Sequence, residues 1–199
     1  PMYSADVSLS GGTTAMRYYI SGGALSQDGL RMGSSYKKIF GRINLDTKLN
    51  NWLRTNINTQ IAYDDTKVSP FGSKNAVGGG VAAMNAPFAS PYDPYTGKEL
   101  ERVPLLDIST PQHVISTNPA KNNALILSLN GNTTITPLNN LTLRSLVGLE
   151  LNYGNNSSRT LPSYYRAYGN GSSQRGYSMV SNITITNTAT YEVNLGKHY

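Results

Sequence analysis

From residue 51 to 65 the chain alternates almost without a break. Leu53, Thr55, Ile57, Thr59, Ile61 and Tyr63 fall on one side of an extended chain, and Arg54, Asn56, Asn58, Gln60 and Ala62 on the other. A period of two belongs to a β-strand, whose successive side chains point to opposite faces. One face of this strand is greasy and the other wet.

The rhythm recurs along the chain. In residues 36 to 49, Lys37, Ile39, Gly41, Ile43, Leu45, Thr47 and Leu49 oppose Tyr36, Lys38, Phe40, Arg42, Asn44, Asp46 and Lys48. In 141 to 153, Leu141, Leu143, Ser145, Val147, Leu149, Leu151 and Tyr153 oppose Thr142, Arg144, Leu146, Gly148, Glu150 and Asn152. Residues 125 to 135 repeat it more weakly. Near the end, Met179, Ile183, Ile185, Ala189, Tyr191 and Val193 oppose Asn182, Thr184, Thr186, Thr188, Thr190 and Glu192. At the start, Met16, Tyr18, Ile20, Gly22 and Ala24 oppose Arg17, Tyr19, Ser21 and Gly23, with a short strand around Val7 and Leu9 before them. The pattern predicts about seven strands, most of roughly ten residues or more, longer than the usual five or six of soluble sheets.

The connections alternate too. Short ones, at 11 to 15, 47 to 52 and 136 to 140, take turns with long ones at 25 to 35, about 64 to 122 and about 154 to 177. An up-and-down antiparallel sheet then has every short turn at one end and every long loop at the other. Long alternating strands with that asymmetry are the pattern of a transmembrane β-barrel. Strands in lipid must pair all their backbone groups in a closed sheet, so only outward side chains need be apolar. On this reading Ile39, Ile43, Leu45, Leu53, Ile57, Ile61, Leu143, Val147, Leu149 and Leu151 face lipid. Tyr36, Trp52, Tyr63, Tyr153, Tyr177 and Tyr191 fall near strand ends, where an interfacial girdle would place them. The alternative is a soluble or surface-displayed β-rich module for glycan binding or adhesion, its dry face on a second sheet. No further run of dry-faced strands is left to cover that face.

Composition changes this picture little. Only 38% of the 199 residues are hydrophobic and 14% are charged, a poor recipe for a thick core, and 14 Tyr stand against 3 Phe. With no cysteine, disulfides and Cys-ligated metals are excluded. The formal charge of +6 is scattered, with only Lys37 and Lys38 as a local pair, so nucleic acid is not an expected partner. No run approaches the roughly 18 apolar residues of a spanning helix, and the opening "PMYSADVSLSGG" has neither basic head nor apolar run of a signal peptide.

Residues 17 to 63, "RYYISGGALSQDGLRMGSSYKKIFGRINLDTKLNNWLRTNINTQIAY", resemble the stretch early in the barrel of SusC/RagA-family TonB-dependent transporters of Bacteroidetes. There a strand ending in Tyr-x-Ser leads to Gln-(Asp/Glu)-Gly, Gly-Ser-x-Tyr, and a strand reading Arg-x-Asn-(Leu/Phe)-Asp before a Trp-Leu turn. "SPYDPYTGKEL" at 90 to 100, "TNPAKNN" at 117 to 123, "LPSYY" at 161 to 165 and "NTATYEVNLGKHY" at 187 to 199 are similar in the same order. Lys38 departs from the family's frequent Arg but keeps the charge.

The resemblance implies an all-β fold: about seven strands as a partial segment of a 22-stranded transmembrane β-barrel with long extracellular loops. It implies an outer-membrane importer of a Gram-negative bacterium, taking up oligosaccharides or other large nutrients, with TonB and a SusD-like lipoprotein as partners and an oligosaccharide or peptide as cargo. No plug, TonB-contacting segment or terminal barrel strand is recognisable, so residues 1 to 199 are expected to be a fragment of the barrel domain, with bare edges at both ends.

Candidate chemistry is sparse. His113 and His198 are far apart and in no metal-ligand spacing, and His198 matches a structural family position at a strand start. Asp64 and Asp65 open the longest loop, where paired carboxylates could hold a hard cation or simply be solvated. "AVGGGVAA" at 76 to 83 lacks the partners of a phosphate loop. The sequons at 132, 170 and 182 are what an Asn-, Ser- and Thr-rich chain yields by chance. No catalytic cluster and no cofactor site emerges, so the chain is not expected to be an enzyme. Tyr92, Tyr95, Tyr164, Tyr165 and Tyr168, in the long loops, are the candidate ligand contacts, because a ring can stack on a sugar face; the favoured alternative is that they pack the loops together.

Overall fold

The computed structural model describes residues 1–69, 90–103, 109–193 and 196. Seven antiparallel strands form one sheet in sequence order: β1 (Met2–Gly12), β2 (Met16–Asp28), β3 (Ser35–Lys48), β4 (Leu53–Val68), β5 (Ala120–Leu138), β6 (Leu141–Thr160) and β7 (Ser172–Tyr191). A short helix, α1 (Pro111–Thr117), precedes β5, and a single 3₁₀ turn, Tyr165–Ala167, lies between β6 and β7. The expected up-and-down topology is therefore present, and β1 and β7 are the two edges of the sheet.

The register decides what each face is. Ile43 pairs with Ile20 and Thr59, Leu45 with Tyr18 and Ile57, and Gly41 with Gly22 and Ile61. Across the rest of the sheet Ile61 lies beside Leu127, Leu127 beside Leu151, and Leu129 beside Leu149 and, beyond it, Ile183. Residues directly opposite in a ladder share a face, so the apolar rows of all seven strands come together on one side. No slip of one residue interrupts that alignment, which would send a strand's apolar set to the other face. In β5 the pairing with β6 is irregular only between Ile135 and Leu138, at Pro137, which has no backbone N–H to give the ladder.

This apolar side is not a core. Ile39, Ile43, Ile57, Ile61, Val147, Ile183 and Ile185 are all exposed. The greasy stretch runs from Leu53 to Tyr63 in β4, Leu125 to Ile135 in β5 and Leu143 to Tyr153 in β6. Eleven residues at about 3.3 Å each, tilted by about 40°, cover about 25 Å, the height of the apolar band on a membrane barrel. The next row up, Asp65, Asn123 and Asn155, is polar. Tyr153 and Tyr177 stack at the upper margin with ring centroids 6.4 Å apart.

Three expectations change in detail. The first strand is not short: β1 pairs with β2 from Met2 to Gly12. The connections expected at 25 to 35 and 154 to 177 shrink to 29–34 and 161–171, because β2 and β3 pair on to Asp28 and Ser35, and β6 and β7 well beyond the apolar band to Thr160 and Ser172. There both faces are polar, so alternation fades although the backbone ladder continues. Tyr36 sits opposite Thr66 in the row pattern of the wet face, where its hydroxyl meets the Asp64 carboxylate; it does not join the outward girdle.

At the short-turn end, Gly12 needs its lack of a side chain. Its φ is 152°, and a Cβ there would run into the Met16 carbonyl.

Candidate functional site

Two regions can meet a solute: the wet face of the sheet and the loops at its far end. On the wet face, Arg42 lies beside Gln60, then Ser128, Glu150 and Asn182; one row on, Asn44 lies beside Asn58, Asn130, Gly148 and Thr184. Arg42 Nη2 donates to Gln60 Oε1 at 2.9 Å, and Asn130 Nδ2 to Ser128 Oγ at 3.2 Å. Arg54 grips Asp46 with two nitrogens, at 2.9 and 2.5 Å. This bidentate pair is exposed, so it orients the guanidinium more than it stabilises the fold. Gly148 leaves room for the Asn130 amide, whose oxygen is 2.9 Å from where a Cβ would be. A hollow of about 280 Å³ opens among Arg42, Asn44, Asn58, Gln60, Ser128 and Asn130. The face offers donors and acceptors at strand spacing, suited to polar solutes or a polypeptide backbone. Sequence reading saw this face as wet but did not single out its asparagines; Asn at alternate positions 56 and 58, and again 130 and 132, was the available signal.

Most of the buried side chains among the described residues lie in the loops; in the sheet Ala62 is buried. Thr110 caps α1 by accepting from His113 N at 3.3 Å, and Pro111 begins it, where no N–H is needed. The helix is hung from the end of β6: Leu161 N donates to Thr117 O at 2.8 Å and Thr160 Oγ1 to Asn118 Oδ1 at 3.0 Å. Val114, 2% exposed, and Tyr164, 6% exposed, form a small core with Tyr165 and Ala167 packed on it. The His113 ring lies 5.8 Å from that of Tyr164 and 6.3 Å from that of Tyr165. Ser109 Oγ reaches the Tyr164 hydroxyl at 3.2 Å. The Tyr165 ring carries the guanidinium groups of Arg102 and Arg166, 5.9 and 5.5 Å from its centroid.

The five loop tyrosines thus divide. Tyr164 and, in part, Tyr165 belong to the joint between the two loops. Tyr95, 95% exposed, projects from a turn whose Asp93 Oδ1 accepts from the N–H groups of Tyr95 and Thr96, both at 2.8 Å. Those backbone donors, Thr96 foremost, hold the Asp93 carboxyl below its ordinary range. Tyr92 is half exposed beside the same turn. Tyr168, 87% exposed, takes a left-handed φ of 49°, a conformation costing an ordinary residue about 1 kcal/mol.

Asp64 and Asp65 correct the expectation of a loop pair. Both lie in β4, opposite Lys38 and Lys37, and successive strand residues face opposite sides, so the two carboxylates diverge. Asp65 is instead bridged by Lys121 at 2.9 Å. Among the described residues no group of three or more His, Cys, Asp or Glu could hold a metal. His198 and residues 76 to 83 lie outside the described residues.

No known family profile matches the chain. Over 77 residues, 39% of this chain, it is 34% identical to TonB-dependent receptor P26 of Formosa agariphila. Among solved structures, the RagAB peptide importer in its closed-closed state superposes with a TM-score of 0.83 over 97% of this chain, at 23% identity. The chain is thus similar over part of its sequence to a TonB-dependent receptor, and in fold to a segment of the RagAB importer. A second structure, of the RagAB peptide transporter, gives 0.81 over 98% at 22% identity, and the open-open state gives 0.80. The chain spans 8% of the Formosa receptor and 22 to 23% of the RagAB chains it matches.

Proposed function

We propose that the chain is seven strands of the wall of an outer-membrane, TonB-dependent importer for large nutrients, peptide or oligosaccharide. The observation that carries this is the register: every apolar row lies on one exposed face, in a band about 25 Å high. The RagAB structures are those of a peptide importer, which favours peptide as cargo. Edge strands β1 and β7 would pair with further strands of the barrel, removing the bare edges. TonB would supply energy, and a SusD-like lipoprotein would cover the loop end, where Tyr92, Tyr95 and Tyr168 offer rings to cargo over the base formed by Tyr164 and Tyr165. The wall does no covalent chemistry.

The competing reading, a soluble or surface-displayed β-rich binding module, needs something to cover the apolar face, and no described element does so. Ile57→Arg in the full-length receptor distinguishes them. A charge at mid-bilayer costs about 2 to 4 kcal/mol on a barrel exterior, so the receptor should fail to reach the outer membrane. Normal assembly would refute the barrel reading.

A further inference from the structure

The register sorts the charges of the sheet by face and by end. Among the described residues of the seven strands, every charged side chain on the apolar face lies at the long-loop end, beyond the row of Tyr63 and Tyr153. Lys37 and Asp65 share the first row beyond it, and Asp28, Lys67, Lys121 and Arg175 the second, with Arg159 in the third. At the short-turn end the same face carries no charge, because Arg17, Arg54 and Arg144 all turn to the wet face. Two residues of a strand tilted by about 40° rise about 5 Å. The first two charged rows therefore stand about 5 and 10 Å past the aromatic margin, against a headgroup layer of about 5 to 7 Å on each side of a bilayer. Long lysine and arginine side chains span the difference.

This belt is short of anions. Asp65 is bridged by Lys121 at 2.9 Å, and Asp28 stands two strands away from Lys67. Among the described residues, Lys37, Lys67, Arg159 and Arg175 form no ion pair. Lys67 and Lys121 lie directly opposite in the ladder of β4 and β5, an arrangement that costs stability until an anion lies near them. Beside Lys37 the face is also hollowed. A trough of about 360 Å³ has Tyr3, Ser26 and Lys37 along one row and Ala5, Ala24 and Ile39 along the next row toward mid-band. Its polarity runs in the order of a lipid, with cation and hydroxyls at the headgroup and apolar side chains below.

We propose that the belt binds an anionic lipid with more than one phosphate, the phosphorylated glycolipid of the leaflet on the long-loop side. Lys37 and Lys67, on adjacent strands and one row apart, hold its phosphates, and an acyl chain enters the trough over Ala5 and Ala24. Arg159 and Arg175 extend the same positive rim along the sheet. The site rests on the barrel reading above and deepens it by giving the two leaflets different contacts with the protein.

The test uses the full-length receptor in detergent micelles, titrated with diphosphoryl lipid A, with bound lipid counted by native mass spectrometry. Lys37→Gln combined with Lys67→Gln should weaken binding about tenfold or more. Replacing the same two residues by arginine should preserve it, and so should Lys38→Gln, which alters the wet face one residue away. Dephosphorylated lipid A and phosphatidylglycerol should each bind the wild type no more tightly than diphosphoryl lipid A binds the double glutamine variant. Equal binding by wild type and that variant, equal binding of the dephosphorylated lipid or of phosphatidylglycerol, an equal loss in Lys38→Gln, or displacement by equimolar inorganic phosphate would each overturn the site while leaving the barrel standing. A receptor that stays folded and soluble without detergent would instead remove the barrel reading itself.

Discussion

The sheet and the loop joint solve different problems with one chain. In the sheet, strands of up to 20 residues hold together by backbone pairing, and their apolar side chains stay exposed. In the joint, two short loop segments bury Val114, Tyr164, His113, Ser109 and Thr110. The joint is a small soluble core, built by removing side chains from water. On the proposed barrel reading the wall leaves that removal to the bilayer, which does not compete for backbone hydrogen bonds and so enforces a complete ladder. Apolar exposure in this protein is thus a statement about the solvent each region meets.

The sharpest way to break the comparison is to place the same charge on the two faces of one strand. Leu149→Arg, facing out, should abolish outer-membrane assembly, at a cost of about 2 to 4 kcal/mol. Asn152→Arg, facing in, should leave the heat-modifiable folded band on a gel at the wild-type level. Equal behaviour would mean the faces are misassigned.

In the joint the effects should be smaller and local. Tyr164→Ala removes half of the buried core and should cost the loops about 3 kcal/mol. Protease should then cut within 109–119 in intact cells, while the wall remains folded. Thr110→Ala, deleting only the cap of α1, should loosen the same segment by about 1 kcal/mol, visible as faster amide exchange there and nowhere in β4.

The smallest effect is at the Asp93 turn. Backbone N–H groups stabilise the charged carboxylate, so its folded pKa lies below the unfolded one. That contribution is present above the ordinary carboxylate range near 3.8 and is lost as pH falls through the lower folded value. Amide exchange of Tyr95 and Thr96 should quicken on that acid side. Asp93→Asn, which keeps an acceptor, should flatten the dependence.

Much of the sheet was legible in the sequence, because one apolar face and one polar face force a period of two that every strand must write. The strand ends were not. Beyond the apolar band, residues such as Asn155, Asn156, Ser157 and Ser158 are polar on both faces, so pairing leaves no mark in composition. The joint was still less legible. A seven-residue helix is too short to show a 3.6-residue period, although Thr110 followed by Pro111 is a helix-start signal. The contacts that bury Tyr164 come from residues some fifty positions away, and only the fold brings them together. The loop tyrosines therefore read alike in sequence, yet Tyr164 is a structural base and Tyr95 is free. Asp64 and Asp65 misled for a related reason: adjacency suggests convergence in a loop and guarantees divergence in a strand.

The most direct test of the account is a nitroxide scan of β4, placing single cysteines at 53 through 63 in a cysteine-free form of the full-length receptor in lipid vesicles. This segment has no cysteine of its own. The account predicts a strict alternation: labels at 53, 55, 57, 59, 61 and 63 relaxed by oxygen dissolved in the bilayer, with a maximum near 57 and 59, and labels at 54, 56, 58, 60 and 62 relaxed by a water-soluble nickel chelate. Alternation in the opposite phase, or no access of oxygen to residue 57, would contradict it.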